Sequence, residues 1–153
     1  LNDGPLLFNA RSETLAEKSA FREAARQRRC LIPASGFFEW HGKGVERQAY
    51  CVAPSSGSLV AFAGVWSCWQ GPEGPVDSVA IVTIGANASL YASHPRMPLV
   101  IAPDGFGLWL GEQGHGAARL MRPVPGTTLT ARRVGPAVNS NKADGPELMA
   151  PVD

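Results

Sequence analysis

The chain has 153 residues, of which 44% are hydrophobic and 18% charged, a balance that suits one compact domain with a real core and excludes a disordered chain. Fourteen Lys and Arg stand against 13 Asp and Glu, so the formal charge of +1 does not by itself point to a polyanionic partner. The sequence has no run of 18 apolar residues, which excludes a helical membrane span, and its 17 Gly and 13 Pro predict short strands and many corners rather than a helix bundle.

In chain order, the first patterned stretch is Phe8-Asn9-Ala10-Arg11-Ser12-Glu13. If it is extended, Asn9 and Arg11 share a side. Residues 12–29 then read as the one convincing helix region. Thr14 and Glu17 have capping-box spacing, Ser19 offers a second start, and Ala20, Phe21, Ala24, Ala25 and Arg28 form a stripe. After this the period changes from helical to alternating. Residues 30–33, 36–40, 48–53, 59–66, 78–84, 98–102 and 129–134 are β-branched or aromatic runs bounded by Gly, Pro or Ser, and each predicts a strand. Helical turns are expected at 87–92, 106–110 and 117–121. From Gly135 the tail is loop-like, although residues 146–149 can still dock. This order is α+β rather than the regular alternation of a parallel doubly wound sheet.

Cys30, Cys51 and Cys68 are odd in number and widely spaced, which fits neither a disulfide framework nor a zinc pattern. A reducing, cytoplasmic setting is expected, with all three read as small core residues. No metal and no cofactor are expected.

Three local patterns carry chemistry. In Gly36-Phe37-Phe38-Glu39-Trp40, strand parity puts Phe37 and Glu39 on one side and Phe38 and Trp40 on the other, so a carboxylate stands among aromatics. Such a Glu is either paired with a cation or held with a raised pKa suited to general acid or base work; a strand-end Glu paired with a surface Arg is the plainer alternative. In Ser93-His94-Pro95-Arg96-Met97-Pro98, two prolines fix a loop that presents His94, a proton carrier near neutral pH, and Arg96, a phosphate or carboxylate ligand. His41 and His115, in polar Gly-containing stretches, read as structural or exposed. Asn9 and Arg11, just before a helix, form the third pattern; Ser12 and Glu13 beside them read as caps.

The charge distribution adds a further sign. Eleven of the 14 cations are Arg. Residues 22–29 hold four Arg against one Glu, and between Gln113 and Ala143 no acid occurs while Arg119, Arg122, Arg132, Arg133 and Lys142 contribute five positive charges. Bidentate phosphate contact and high-GC coding both enrich Arg.

Taken in order, Asn-Ala-Arg-Ser-Glu, Arg-Arg-Cys-Leu-Ile-Pro-Ala-Ser-Gly-Phe-Phe-Glu-Trp, His-Pro-Arg-Met-Pro and Val-Asn-Ser-Asn-Lys-Ala-Asp-Gly-Pro-Glu-Leu resemble the SRAP family, the SOS-response-associated peptidases that shield abasic sites in single-stranded DNA. The resemblance spans Asn9 to about Pro151. It implies a single α+β domain with a barrel-like, mostly antiparallel β core, a few flanking helices and a positive DNA groove. It also implies an N-terminal cysteine whose amine and thiol capture the aldehyde of an opened abasic sugar as a thiazolidine, and which self-processing exposes. By the same resemblance Asn9, Glu39 and His94 are catalytic: Asn9 lies beside the nucleophile, Glu39 is the general acid/base and His94 serves proton transfer and cross-link reversal. Arg11, Thr83 and Arg96 bind DNA. Trp40 is core before it is a base stacker.

The family opens with Met-Cys-Gly-Arg and a later Trp-Gly motif, whereas this chain begins at Leu1. The expectation is a fragment of a longer protein that alone cannot cross-link, because Cys30 lies inside a strand motif and has no free α-amine. The expected partner is single-stranded DNA containing abasic sites, bound by a monomer in the cytoplasm, nucleoid-associated when on DNA, with no membrane involved. Two other readings stand beside it: a non-catalytic single-stranded DNA-binding module, and a peptide hydrolase using Glu39 and His94.

Overall fold

The computed structural model describes residues 7–86 and 95–152. Along the chain the strands are β1 (Asn9–Arg11), β2 (Arg29–Ala34), β3 (Phe37–His41), β4 (Gln48–Pro54), β5 (Val60–Gly71), β6 (Gly74–Gly85), β7 (Arg96–Pro98), β8 (Val100–Ile101) and β9 (Leu129–Arg133). The two α-helices are α1 (Ser19–Gln27) and α2 (Phe106–Leu110), and short 3-10 turns fill several connections. The fold is α+β, rich in strand, and mostly antiparallel in its pairing. The helical turn expected at 87–92 lies outside the described residues.

Backbone contacts divide the chain into two compact units. The first takes the described residues of Leu1–Pro33, Ala61–Ile84 and Pro98–Pro123; the second takes those of Ala34–Val60, Gly85–Met97 and Val124–Asp153.

The first unit is built on a sheet ordered β1-β6-β5-β2, with β8 also pairing β5. β5 and β6 form one long ribbon closed by the two-residue loop Pro72-Glu73, with Gly71 opposite Gly74. Gly74 holds φ at +115°, a value open to glycine. The inner half of this ribbon buries Phe62, Ala63, Val65, Ala80, Val82 and Ile84. β5 was expected to end at residue 66 but continues to Gly71, because Ser67, Cys68 and Gln70 blur the apolar alternation that marks a strand in sequence.

The helix region expected over 12–29 is two pieces, a 3-10 turn at Ser12–Thr14 and α1, which begins at the second start expected at Ser19. Lys18 is extended (ψ 124°) and caps α1 without a side-chain bond, so the Thr14 and Glu17 pair does not act as a capping box. The break has a packing cause. Leu15 and Ala24 are both buried, yet nine residues apart on one continuous helix they would point about 180° from each other. Interrupting the helix lets both reach the core. Downstream, α2 ends in a left-handed Gly111 and buries Trp109 completely, whose indole Nε1 donates to the Cys30 carbonyl at 2.9 Å.

The second unit holds the sheet β3-β4-β9, antiparallel throughout. Its core gathers Ala49, Cys51 and Val134, with Phe38, Trp40, Ala53, Val138 and Met149 packed against them. Met149 fulfils the docking expected of the tail, and Val134 bridges Pro151. Gly36 is needed here, because a Cβ would fall 2.5 Å from the Val52 carbonyl oxygen.

Candidate functional site

The alternation Asn9-Ala10-Arg11 decides the first part of the site. Ala10 is fully buried while Asn9 and Arg11 are exposed, so both polar side chains point out of one face, as strand parity requires. β1 runs parallel to β6 and sets Asn9 beside Ile81, Ala10 beside Val82 and Arg11 beside Thr83. Thr83 and Ile81 alternate with the buried Ala80, Val82 and Ile84, so Arg11 and Thr83 are neighbours on the outer face of the first unit's sheet. Asn9, Arg11 and Thr83 are therefore brought together. A guanidinium, a carboxamide and a hydroxyl on one open face form a set of donors suited to phosphate and sugar oxygens.

In the second unit Glu39 is half-buried in the middle of β3. Phe38 and Trp40 pack into the core, which leaves Phe37, Glu39 and His41 on the opposite face. Trp40 behaves as the sequence suggested. Its Nε1 donates to Asn139 Oδ1 at 2.7 Å and the Arg47 guanidinium lies 5.0 Å from its ring centroid. Directly across from Glu39 stands Tyr50 on β4, and across from Tyr50 stands Arg133 on β9. Carboxylate, phenol and guanidinium thus form one row over three strands. His41 extends the set: its ring centroid is 4.1 Å from that of Tyr50, and its Nε2 is buried with no hydrogen-bond partner among the described residues. Sequence reasoning missed Tyr50, named Arg133 only as part of a positive block and set His41 aside. Parity could place Tyr50 on a face, but the hairpin register that puts it opposite Glu39 is not readable across the turn at 42–47. Arg96 is half-buried at the start of β7, and His94 lies outside the described residues.

The Arg-rich blocks are partly spent on structure. Arg28 pairs with Glu23 at 2.9 Å and donates to the Trp66 carbonyl. Arg29 donates to the carbonyls of Trp109, Ala25 and Arg26. Arg26 and Arg29, with Ser12, Leu15, His115 and Met121, help line a cavity of about 510 Å³ in the first unit. Arg119, Arg122, Arg132 and Arg133 are exposed.

No thiol is activated. Burial pushes Cys30 up, and it pushes Cys51 up against the opposing charge of Arg132. Cys68 was expected in the core but is exposed on the outer half of β5, opposite Asp77. There the hydrogen bond to the Asp77 carboxylate, slight burial and the carboxylate's charge raise its pKa, with Gln70 opposing. Each shift favours the neutral thiol over the nucleophilic thiolate. Among the described residues no cluster of His, Cys, Asp and Glu is placed to hold a metal ion, and no helix is long and apolar enough to cross a membrane.

These features define an α+β protein that presents an Asn and an Arg from a short parallel strand on an open sheet face, and a half-buried Glu on a second sheet. Residues 2–141 match the family described as SOS response associated peptidase (SRAP), and the chain belongs to that family. It is 33% identical over 151 residues to "Abasic site processing protein YoqW" of Bacillus subtilis, an alignment covering 95% of this chain and 67% of that protein. It is 30% identical over 177 residues to "Abasic site processing protein HMCES" of Rattus norvegicus, covering 95% of this chain and 50% of that one. A crystal structure of a protein from Bacteroides thetaiotaomicron shares the fold, with a TM-score of 0.85 at 24% identity over 94% of this chain and 65% of that one. The chain therefore spans between half and about two thirds of the length of these relatives.

Proposed function

We propose that this chain engages abasic sites in single-stranded DNA and supplies most of the side chains that process them. The observation that carries this reading is the β1 and β6 pairing, with Asn9, Arg11 and Thr83 side by side on an open face, in a family whose relatives are named abasic site processing proteins. Arg11, Thr83 and Arg96 hold the backbone phosphates, as charge-assisted and hydroxyl donors do. Glu39 manages protons in imine formation, and His94 serves the same chemistry in reversal.

The capture step needs one residue with both a free α-amine and a thiol. The amine adds to C1′ of the opened sugar, water leaves to give the imine, and the thiol sulfur then adds to that carbon while its proton passes to nitrogen, closing a thiazolidine. Cys30, Cys51 and Cys68 are interior to the chain and have no free α-amine. The peptidase activity of the family description is the self-processing that exposes such a residue. The protein acts as a monomer in the cytoplasm, on the nucleoid when DNA-bound.

A labelled single-stranded oligonucleotide with one abasic site tests the reading. The expected result is a salt-sensitive mobility shift, because bound phosphates displace counterions. A shift insensitive to salt, or no shift at all, would remove DNA from the function.

The non-covalent binding module is the second reading, favoured by the protonated state of all three thiols. It predicts the same shift for intact and abasic strands, whereas the processing reading predicts tighter binding at the lesion.

A further inference from the structure

The sheet face that presents Asn9, Arg11 and Thr83 extends beyond them. Directly opposed residues in a ladder share a face, as do residues two apart along one strand. Asn9 lies beside Ile81, which is opposite Gly64; the next row outward on that face is Val79 with Trp66, and the one after it is Asp77 with Cys68. Gly64 itself is buried under the side chains of Cys30 and Ile32, since a Cβ there would meet Cys30 Sγ and Ile32 Cδ1, both at 2.8 Å. Beyond this covered row Trp66 is 39% exposed and Val79 48% exposed. Cys30, Trp66, Asp77, Ser78 and Val79 line a depression of about 380 Å³.

From this arrangement we infer that the Trp66 depression seats an unpaired nucleobase of the bound strand, a few nucleotides from the lesion. The inference rests on the single-stranded DNA reading above. Two residues along a strand span about 6.8 Å and neighbouring strands lie about 4.8 Å apart, so Trp66 lies about 12 Å from Asn9, two strands over, and about 14 Å from Thr83, one strand over. At a stacked spacing of about 3.4 Å those distances are roughly three to four nucleotide steps. An indole face stacks any base, and the edge of the depression fits the same occupant. Asp77 repels a phosphate, so the base and not the backbone enters, and the carboxylate accepts from exocyclic amino groups on the base edge. The backbone is held instead at Arg11 and Thr83.

The test removes the base rather than the protein's charge. Oligonucleotides carrying one abasic site receive a second, base-less tetrahydrofuran unit at each of the four positions on either side, one at a time. With the chain as it stands, binding is expected to weaken about tenfold at one offset within those four positions, the scale of losing one base-to-aromatic stack. With Trp66→Ala that offset dependence disappears; Trp66→Phe, which keeps a π-face, retains it; Trp66→Leu, which keeps apolar area without one, does not. The Phe and Leu variants keep the question answerable if the Ala variant does not fold. Normal salt-sensitive binding with no offset at which base removal matters overturns the stacking site and leaves the DNA reading intact. A Trp66→Leu variant that keeps the full offset dependence does the same. Failure of the chain to bind any of these oligonucleotides overturns both.

Discussion

The two halves of the β5 and β6 ribbon are alike in sequence and opposite in fate. Over the inner half, Phe62, Val65, Val82 and Ile84 are each at most 4% exposed; over the outer half, Trp66, Trp69, Val76 and Val79 are 36–48% exposed. Both halves carry large apolar side chains, and β5 pairs β6 from Gly64 opposite Ile81 outward. What differs is the neighbours. The inner half is flanked by β1 beside β6 and by β8 and β2 beside β5, with the Trp66 amide donating to the Arg28 carbonyl at 2.9 Å; farther out the β5 and β6 pairing runs on to its turn at Gly71 and Gly74. A lone two-stranded ribbon is marginal in water, so exposed aromatics along it call for an explanation other than the core.

Four measurements break or sharpen this contrast. The largest effect is expected from Phe62→Ala in the inner half, a loss of about 3–5 kcal/mol in denaturant unfolding; a loss under 1 kcal/mol would mean that the inner half is not core. Next comes Gly64→Ala, at the border between the halves. Its methyl group must displace Cys30 or Ile32, a cost of about 1–3 kcal/mol by the same assay, and adding Ile32→Val should recover part of it. A rate rather than a stability reports on Cys68. Because the Asp77 carboxylate accepts its S–H and repels its thiolate, Asp77→Asn lowers the Cys68 pKa toward the ordinary thiol value. Alkylation of Cys68 at a fixed pH near 8, followed by peptide mass, should then speed up, and a slower reaction would contradict the assigned cause. The smallest effect is expected from Trp69→Ala in the outer half, about 0.5–1 kcal/mol, since its ring lies over Gly71 and stays 36% exposed rather than entering the core. A large loss there would show that the outer half is structural after all.

The same sign governs pH dependence in the core. The pKa of Cys51 is raised by burial, so the neutral thiol is the folded form. Its contribution to stability is complete below the unfolded thiol pKa and is lost as pH rises through the folded one. Unfolding midpoints should therefore fall on the alkaline side more steeply for this chain than for Cys51→Ala.

Much of this was legible along the chain. The segments read as strands from β2 to β9 follow from β-branched and aromatic runs between Gly and Pro, and parity alone separated Glu39 from Phe38 and Trp40. Where the reading failed, the cause was non-local. The helix region was read without its break at 15–18, because that break serves two buried residues, Leu15 and Ala24, whose common core is not visible in the pattern. Cys68 was placed inside because it sits in an apolar run, and only the lack of further strands around it puts it outside.

By itself the sequence determined which side chains share a face, because the two-residue period of a strand is a property of the local backbone. It also determined the family, through four motifs in a set order. Only the tertiary structure decided which faces meet. It set Arg11 beside Thr83 across 72 positions of chain and Glu39 opposite Tyr50. It also left Trp66 uncovered at the end of the same face. Register and neighbouring strands are chosen by long-range pairing and burial, and no local pattern encodes which distant partner will supply them.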